Sequence, residues 1–238
     1  LDGLRISHIS DYHDGLKIKD DKYIREKLIE TRPDLIIISG DLLDSRRTNV
    51  NTSLNFIDEI IDIAPIFFAM GNHESRVSER YKLIDELRKR DVNVLINEST
   101  SFNYMGEEIN IIGINDLDFT HLNQDKKVRG EYALKVLYPL IDEDKYNILI
   151  FHRPEYLSFL SKTKVNLIFT GHAHGGQVRL FNRGIFAPGQ GFFPSYTSGV
   201  YEMNDTFQIV SRGIGNSNFP FRVFNSPEII SLKLEMLK

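Results

Sequence analysis

Leu35-Ile36-Ile37-Ile38-Ser39-Gly40-Asp41-Leu42-Leu43-Asp44 is the stretch whose reading decides the fold. Its apolar run is too short for a helix, follows Pro33 and Asp34, and ends at Gly40, which predicts a strand buried on both faces. Asp41 and Asp44 stand at its exit. One aspartate after a strand is most simply a cap for the next helix. Here the pattern recurs: five other apolar runs deliver an Asp, Asn or His at or just beyond their carboxyl ends, and in an open α/β sheet that rim is where ligands bind.

Working outward, Leu4 to Ser10 alternates apolar and polar residues at strand period and leads into Asp11-Tyr12-His13. Ile24, Leu28 and Ile29 lie at helical spacing within Asp20 to Thr31, and Pro33 stops that helix, completing a βαβ unit. A second helix from Asn51 ends at Pro65, and Ile66 to Met70 form a strand that exits into Gly71-Asn72-His73-Glu74. A third helix spans about Glu79 to Arg90, followed by short strands at Val92 to Ile96 and Ile109 to Ile114. Met105-Gly106-Glu107 predicts a hairpin turn. The polar run Asp116 to Arg129 reads as a mobile loop, with His121 an exposed residue rather than a ligand, and a helix is expected from Glu131 to Ile141. Asn147 to Phe151 exits into His152. A short helix over Glu155 to Leu160 precedes Val165 to Thr170, which exits into Gly171-His172-Ala173-His174-Gly175. The remaining strands, Val178 to Phe181, Thr197 to Met203, Phe207 to Ser211 and Glu228 to Leu234, read as antiparallel.

At 238 residues the chain is expected to form a single domain, 1–238. Its composition, 41% hydrophobic and 26% charged, is that of an ordinary globular protein, and no apolar run approaches the ~18–20 residues of a membrane span. A net charge of -4 gives no global attraction to nucleic acid, and no nucleic-acid partner is expected. The chain has no cysteine, so a metal must be held by oxygen and imidazole. It begins at Leu1 a few residues before the first strand, which reads as removal of an upstream segment. Any signal or anchor is then out of view, and location stays open between cytoplasm and membrane. Oligomeric state is not legible.

Asp11, His13, Asp41, Asn72, His152, His172 and His174 together offer more donors than one ion needs, and two ions sharing a carboxylate would use them all. Asp41, on the central strand, is the natural bridge. A lone histidine at a strand end is usually a satisfied residue, but four of the chain's seven are placed this way.

In this order, Asp11-Tyr12-His13, Gly40-Asp41-Leu42-Leu43-Asp44, Gly71-Asn72-His73-Glu74, His152 and Gly171-His172-Ala173-His174 resemble the five blocks of the calcineurin-like metallophosphoesterase superfamily. Gly175 to Leu180, Phe186 to Pro194 and Ser211 to Gly215 resemble its bacterial YkuE- and YaeI-like branch. The resemblance implies a four-layer α/β/β/α sandwich of two mixed sheets. It implies one ion held by Asp11, His13, Asp41 and His174 and another by Asp41, Asn72, His152 and His172. His73 would act on the substrate phosphate as acid or transition-state stabiliser, oriented by Asp44. Ser45 stands where the protein-phosphatase branch has an arginine, which argues against protein phosphatase activity.

Two divalent ions roughly 3.5–4 Å apart lower the pKa of a shared water toward ~7 and supply a hydroxide nucleophile for in-line attack on phosphorus. Mixed carboxylate, amide and imidazole ligands suit Mn, Fe or Zn. The expected partner is a phosphate mono- or diester, with a lipid-linked ester favoured because the resemblance is to a branch some of whose members act on such lipids and because Phe192 and Phe193 follow the metal block closely. Those rings suit an apolar groove, a peripheral membrane contact or packing between the sheets. Arg179, Arg183, Arg212 and Arg222 are further candidates to meet phosphate. The alternatives are a phosphodiesterase for small molecules or nucleotides, and a metal-binding interaction scaffold without turnover.

Overall fold

The computed structural model describes residues 1–15, 20–120, 122–181, 183–216 and 221–235. β1 (Arg5–Ile9), β2 (Leu35–Ile38), β3 (Ile66–Phe68) and β4 (Asn93–Val94) run parallel, joined by α1 (Asp21–Thr31), α2 (Val50–Ile60), the one-turn α3 (Asn72–Ser75) and α4 (Arg80–Arg88). The hairpin β5 (Glu98–Tyr104) and β6 (Glu107–Ile114) opens a second sheet, which continues through α5 (Lys126–Leu137), β7 (Tyr146–Phe151), α6 (Leu157–Leu160) and β8 (Leu167–Thr170). Four two-residue strands follow: β9 (Arg179–Leu180), β10 (Arg183–Gly184), β11 (Phe186–Ala187) and β12 (Gly191–Phe192). β13 (Gly199–Met203) and β14 (Thr206–Val210) complete the second sheet, and β15 (Ile230–Lys233) returns to the edge of the first. Sheet orders are β15-β1-β2-β3-β4 and β13-β14-β8-β7-β6-β5.

Side-chain alternation on the central strands creates three apolar layers. Leu35 and Ile37 point between the sheets and pack with Leu4, Ile6, Ile109, Ile148, Ile150 and Phe169. Ile36 and Ile38 point the other way, under Leu28, Phe56, Ile57 and Leu83 of the helices. On the far side, Leu149, Phe151 and Ile168 meet Ala133, Leu137, Leu157 and Leu160 of α5 and α6. Because both faces of β2 are covered, all four of its side chains are buried, as a continuous apolar run requires. The order of layers is helices, sheet, sheet, helices, matching the expected α/β/β/α sandwich.

The hairpin at Met105-Gly106 pairs Tyr104 with Glu107, leaving a two-residue turn with both φ angles positive, at 53° and 91°. That geometry suits the twist of the flanking strands and explains the glycine.

Two expectations need correction. The polar run after Asp116 is not a loop through Arg129. Asp116 accepts the Asp118 N–H to start a 3-10 turn over Leu117–Phe119, and Asp125 caps α5 by accepting the Val128 N–H, so that helix begins at Lys126 rather than Glu131. His121 lies outside the described residues. The final third is not simply antiparallel: β14 pairs with β8 in parallel, while β13 and β15 pair antiparallel with β14 and β1. Of the three apolar residues at helical spacing in α1, Ile24 and Leu28 are buried and Ile29 is half exposed.

Ile37 is fully buried between the sheets. Ile37→Ala is expected to destabilise the fold by about 2–5 kcal/mol, read as a lower urea midpoint with unchanged slope.

Candidate metal centre

The carboxyl ends of β1, β2 and β3 and those of β7 and β8 open onto one rim. Asp11 and His13 follow β1, Asp41 and Asp44 follow β2, and Asn72 and His73 begin α3 directly after β3. His152 follows β7, and His172 and His174 follow β8. The loops are laced together: the Asp11 N–H donates to the Gly40 carbonyl, His13 N–H to Asp41 O, and Gly171 N–H to His152 O, at 3.0–3.1 Å. All of these residues are buried.

The structure brings six of the seven expected donors into two groups, linked by a third cluster of His13, Asp41 and His73. Asp11, His13 and His174 form one, with Asp11 Oδ1 3.2 Å from His174 Nε2 and the Nε2 atoms of His13 and His174 also 3.2 Å apart. Asp41, His152 and His172 form the other, with Asp41 Oδ2 3.1 Å from His152 Nε2. Asp41 also lies 3.9 Å from His13 Nε2, so its carboxylate faces both groups. Asn72 shares with Asp41, His172 and His174 the wall of a cavity of about 680 Å³ that opens above them. A larger cavity, about 1080 Å³ between α1 and β15, holds no such convergence of histidine and carboxylate atoms among the described residues.

The donor set fits divalent ions. Asn72 Oδ1 and His172 Nε2 are buried and lack hydrogen-bond partners, and His152 Nε2 faces the Asp41 carboxylate. Buried acceptors are otherwise almost always paired, so two orphaned ones on residues that line the same cavity as Asp41 mark a place for a cation. The far side of the His152 ring is fixed as a ligand requires: Nδ1 donates to the Ser39 carbonyl at 2.7 Å, leaving the lone pair of the neutral ring on Nε2. Burial pushes the His13 imidazole down to about 3 and holds His172 and His174 well below the ordinary range, so these rings are neutral and free to donate lone pairs.

A calcineurin-like phosphoesterase family model matches residues 4–176, which contain every one of these side chains. The chain belongs to the calcineurin-like phosphoesterase family. It is 30% identical to YpbG of Bacillus subtilis over 94% of this chain and 78% of that protein. It is 26% identical to the metallophosphoesterase YkuE of the same organism, covering 99% of this chain and 80% of YkuE. Other curated relatives are longer, and the chain spans about 60% of their length. The fold is shared with a dimetal phosphatase from Danio rerio at a TM-score of 0.56, with 12% identity over 98% of this chain and 93% of that one. As a member of this family the chain is a phosphoric ester hydrolase.

Backbone strain recurs at the family's motif residues. Asp11, His13, Asp41, His172 and His174 all have left-handed φ, between 45° and 65°. Each such residue costs on the order of 1 kcal/mol or more and persists only where its surroundings enforce it. Two glycines allow the loops to close over these positions. A Cβ on Gly71 would collide with Asp41 Oδ1, and one on Gly171 with Ser10 Oγ and Asp11 Oδ2.

His73 stands 4.0 Å from Asp41 through Nε2 and packs edge-on against His13. The structure does not give it a hydrogen bond to Asp44, whose Oδ1 is 3.8 Å from Nδ1. Nδ1 instead accepts the Ser45 N–H at 3.0 Å, and Asp44 is occupied by the backbone and guanidinium of Arg46. Since the Ser45 N–H can only donate, the neutral His73 ring carries its proton on Nε2, the nitrogen facing Asp41.

Several organising residues were not read from the sequence. Glu74, fully buried, accepts the N–H groups of Asp41, Leu43 and Gly71 at 2.8–3.0 Å and so holds two motif loops together. Its position three residues after Gly71 is the capping-box spacing, a signal available in the sequence. Arg153, beside His152, forks onto Asp116 and reaches Asp118, and Arg76 joins Asp118 from the cavity wall. Asn225 donates to the carbonyls of His174 and Gln177. Of the four arginines considered for phosphate, Arg222 reaches the rim, 3.5 Å from His174 Nδ1, while Arg212 is paired with Glu228.

Burial, reinforced by the charge of Asp41, pushes the Glu74 carboxyl up to about 8 against the pull of its three N–H donors. His152 is disfavoured as a cation by burial, but Asp41 overcomes this and raises it to about 10. Both groups are raised, so in metal-free protein the folded state retains protons that the unfolded chain releases. Stability conferred by Glu74 is complete below about pH 4.5 and lost as pH rises through about 8; that from His152 is complete below about 6.5 and lost through about 10. In chelator, urea denaturation is therefore expected to show stability falling from pH 6.5 to 9. Glu74→Gln is expected to reduce that slope and to cost about 1–3 kcal/mol through its unpaired N–H groups.

Proposed function

We propose that the chain hydrolyses a phosphate mono- or diester with two divalent ions, Mn, Fe or Zn, and that the ester is carried on an apolar, lipid-like group. Residues 1–238 act as one catalytic domain in this reading. Asp11, His13, Asp41 and His174 hold one ion, and Asp41, Asn72, His152 and His172 hold the other. The observation that carries the reading is the clustering of Asp11, His13 and His174 and of Asp41, His152 and His172 at one rim, with the unpartnered Asn72 Oδ1 and His172 Nε2 belonging to the cavity wall above them. Bound there, the ions supply a water acidified to a nucleophile near neutral pH and polarise the phosphoryl oxygens.

The remaining work falls to protein groups. His73, its Nδ1 held by the Ser45 N–H, donates from Nε2 to a phosphoryl or leaving oxygen. Arg76, on the cavity wall and steadied by Asp118, adds a positive charge where the phosphate enters. Ile185, Phe186, Pro188 and Phe192 form the opposite wall and exclude water from the leaving group's side. That apolar wall supports a lipid-linked ester over a nucleotide, which would look for polar partners for its sugar and base.

Asp41→Ala and Asn72→Ala are expected to abolish turnover of bis-p-nitrophenyl phosphate and to lower bound Mn²⁺ measured by elemental analysis. His73→Ala is expected to leave metal content unchanged while cutting kcat by roughly 10²–10⁴. Full turnover in Asn72→Ala would overturn the two-ion assignment. Comparing the diester with p-nitrophenyl phosphate on Mn²⁺-loaded protein separates diesterase from monoesterase, and hydrolysis of neither would favour a scaffold.

A further inference from the structure

Among the described residues, every phenylalanine more than half exposed lies between Phe181 and Phe224. Phe181 is 100% exposed, Phe192 73%, Phe193 79% and Phe224 83%, so none is explained by packing in the core. They belong to one ribbon. The Ile185 N–H donates to Val178 O, the Phe193 N–H to Ile185 O, and the Arg179 N–H to Val223 O, which places the segments carrying Phe181, Phe193 and Phe224 side by side. Phe192 and Ile185 also line the cavity above the metal centre, so the exposed rings continue its apolar wall outward.

Backbone geometry sharpens the point. Phe181, Phe193 and Phe224 have φ of 48°, 53° and 52°, a region where glycine or asparagine is favoured and a bulky aromatic is a genuine outlier. At each of these positions the chain carries an exposed ring and a strained backbone together. Neither local conformation nor core packing accounts for phenylalanine there. Its advantage must lie in what the surface meets.

Charge indicates the partner. Histidines aside, Arg179 and Arg183 are the only charged side chains between Lys164 and Glu202, and Arg212 and Arg222 the only ones between Asp205 and Glu228. A chain of net charge -4 thus keeps this region free of acids, and Arg183 is exposed on the same ribbon as Phe181. Aromatic rings beside exposed arginine, on stretches of sequence without acids, match the interface of a bilayer containing anionic lipid.

We propose that Phe181, Phe193 and Phe224, with Arg183, form a docking surface that inserts into an anionic lipid interface and sets the mouth of the cavity against it. This extends the lipid-linked substrate reading and rests on it for its purpose, but docking is measurable without turnover. No helix among the described residues is long and apolar enough to cross a membrane.

The test is sedimentation of the protein with vesicles of phosphatidylcholine containing phosphatidylglycerol. The double variant Phe181→Asn, Phe224→Asn is compared with Tyr81→Ser, which removes an exposed ring from α4. Wild type and Tyr81→Ser are expected to bind alike, and the double variant to bind about tenfold or more weakly. Asparagine accepts left-handed φ, so the double variant's Tm is expected to stay level or rise, which separates lost docking from lost folding. Its turnover of soluble bis-p-nitrophenyl phosphate is expected to be unchanged. Failure of turnover in every protein would thus strike the catalytic reading alone. The docking proposal is overturned if wild type fails to sediment with these vesicles, if the double variant sediments like wild type, or if binding follows charge alone and vanishes in high salt. A concentration-dependent dimer that the double variant abolishes would assign the surface to a second copy of the chain and equally overturn it.

Discussion

Asp41 binds the architecture to the chemistry. Its carboxylate sits at the end of the most deeply buried strand, facing His13, His73 and His152 at once, with its own N–H held by Glu74. Burial alone pushes such a carboxyl toward neutrality, yet the charge of His152 beside it holds it well below the usual range. An ionised group with so little water around it must be surrounded by positive charge or hydrogen-bond donors. In metal-free protein the raised His152 supplies that charge. Bound cations would supply it instead and leave the ring nitrogens to present their lone pairs, which is how the rim's carboxylates and imidazoles fit together.

The cost of the arrangement is spread over several loops. Five motif residues adopt left-handed backbone, and the neighbouring glycines are too close to carboxylate oxygens to tolerate a Cβ. Such strain is sustained by what lies underneath: β1, β2 and β3 buried on both faces, Glu74 pinning two loops, and the Arg153 fork fixing the segment that carries Asp116 against His152. Flexible loops would relax out of these conformations. Rigid strands ending in short glycine loops keep the acceptors converged without requiring each ligand to be locally stable.

This division explains what was legible in the sequence. Continuous apolar runs ending in Asp, Asn or His announced both the strands and the rim, because burial on two faces and a polar exit leave a local signature. The hairpin at Met105-Gly106 was legible for the same reason, being set by two adjacent residues. Pairings between distant segments left no such trace. Nothing local in Thr206–Val210 states that it lies parallel to β8, and nothing in Ile230–Lys233 states that it returns to β1. Glu74 and Asp125 did carry recognisable capping signals, obscured by a run of polar neighbours. Ser45 displaces Asp44 beside His73 through a backbone N–H, which no side-chain motif encodes.

The two halves of the cavity wall have opposite characters, and that contrast bears on how a family fold acquires a particular substrate. The wall built from strand ends is polar, strained and interlocked, so a substitution there disturbs several ligands together. The wall from Val178 to Phe192 consists of two-residue strands held by a few backbone hydrogen bonds, with rings facing the cavity and solvent. It can vary in sequence without moving Asp41 or the histidines, because its contact with them passes mainly through Asn225 and the Gly175-Gly176 turn. On the proposed reading, chemistry is anchored in the sheets while recognition falls to the ribbon, whose aromatic and basic character would then speak to this chain's own substrate rather than to its family's reaction.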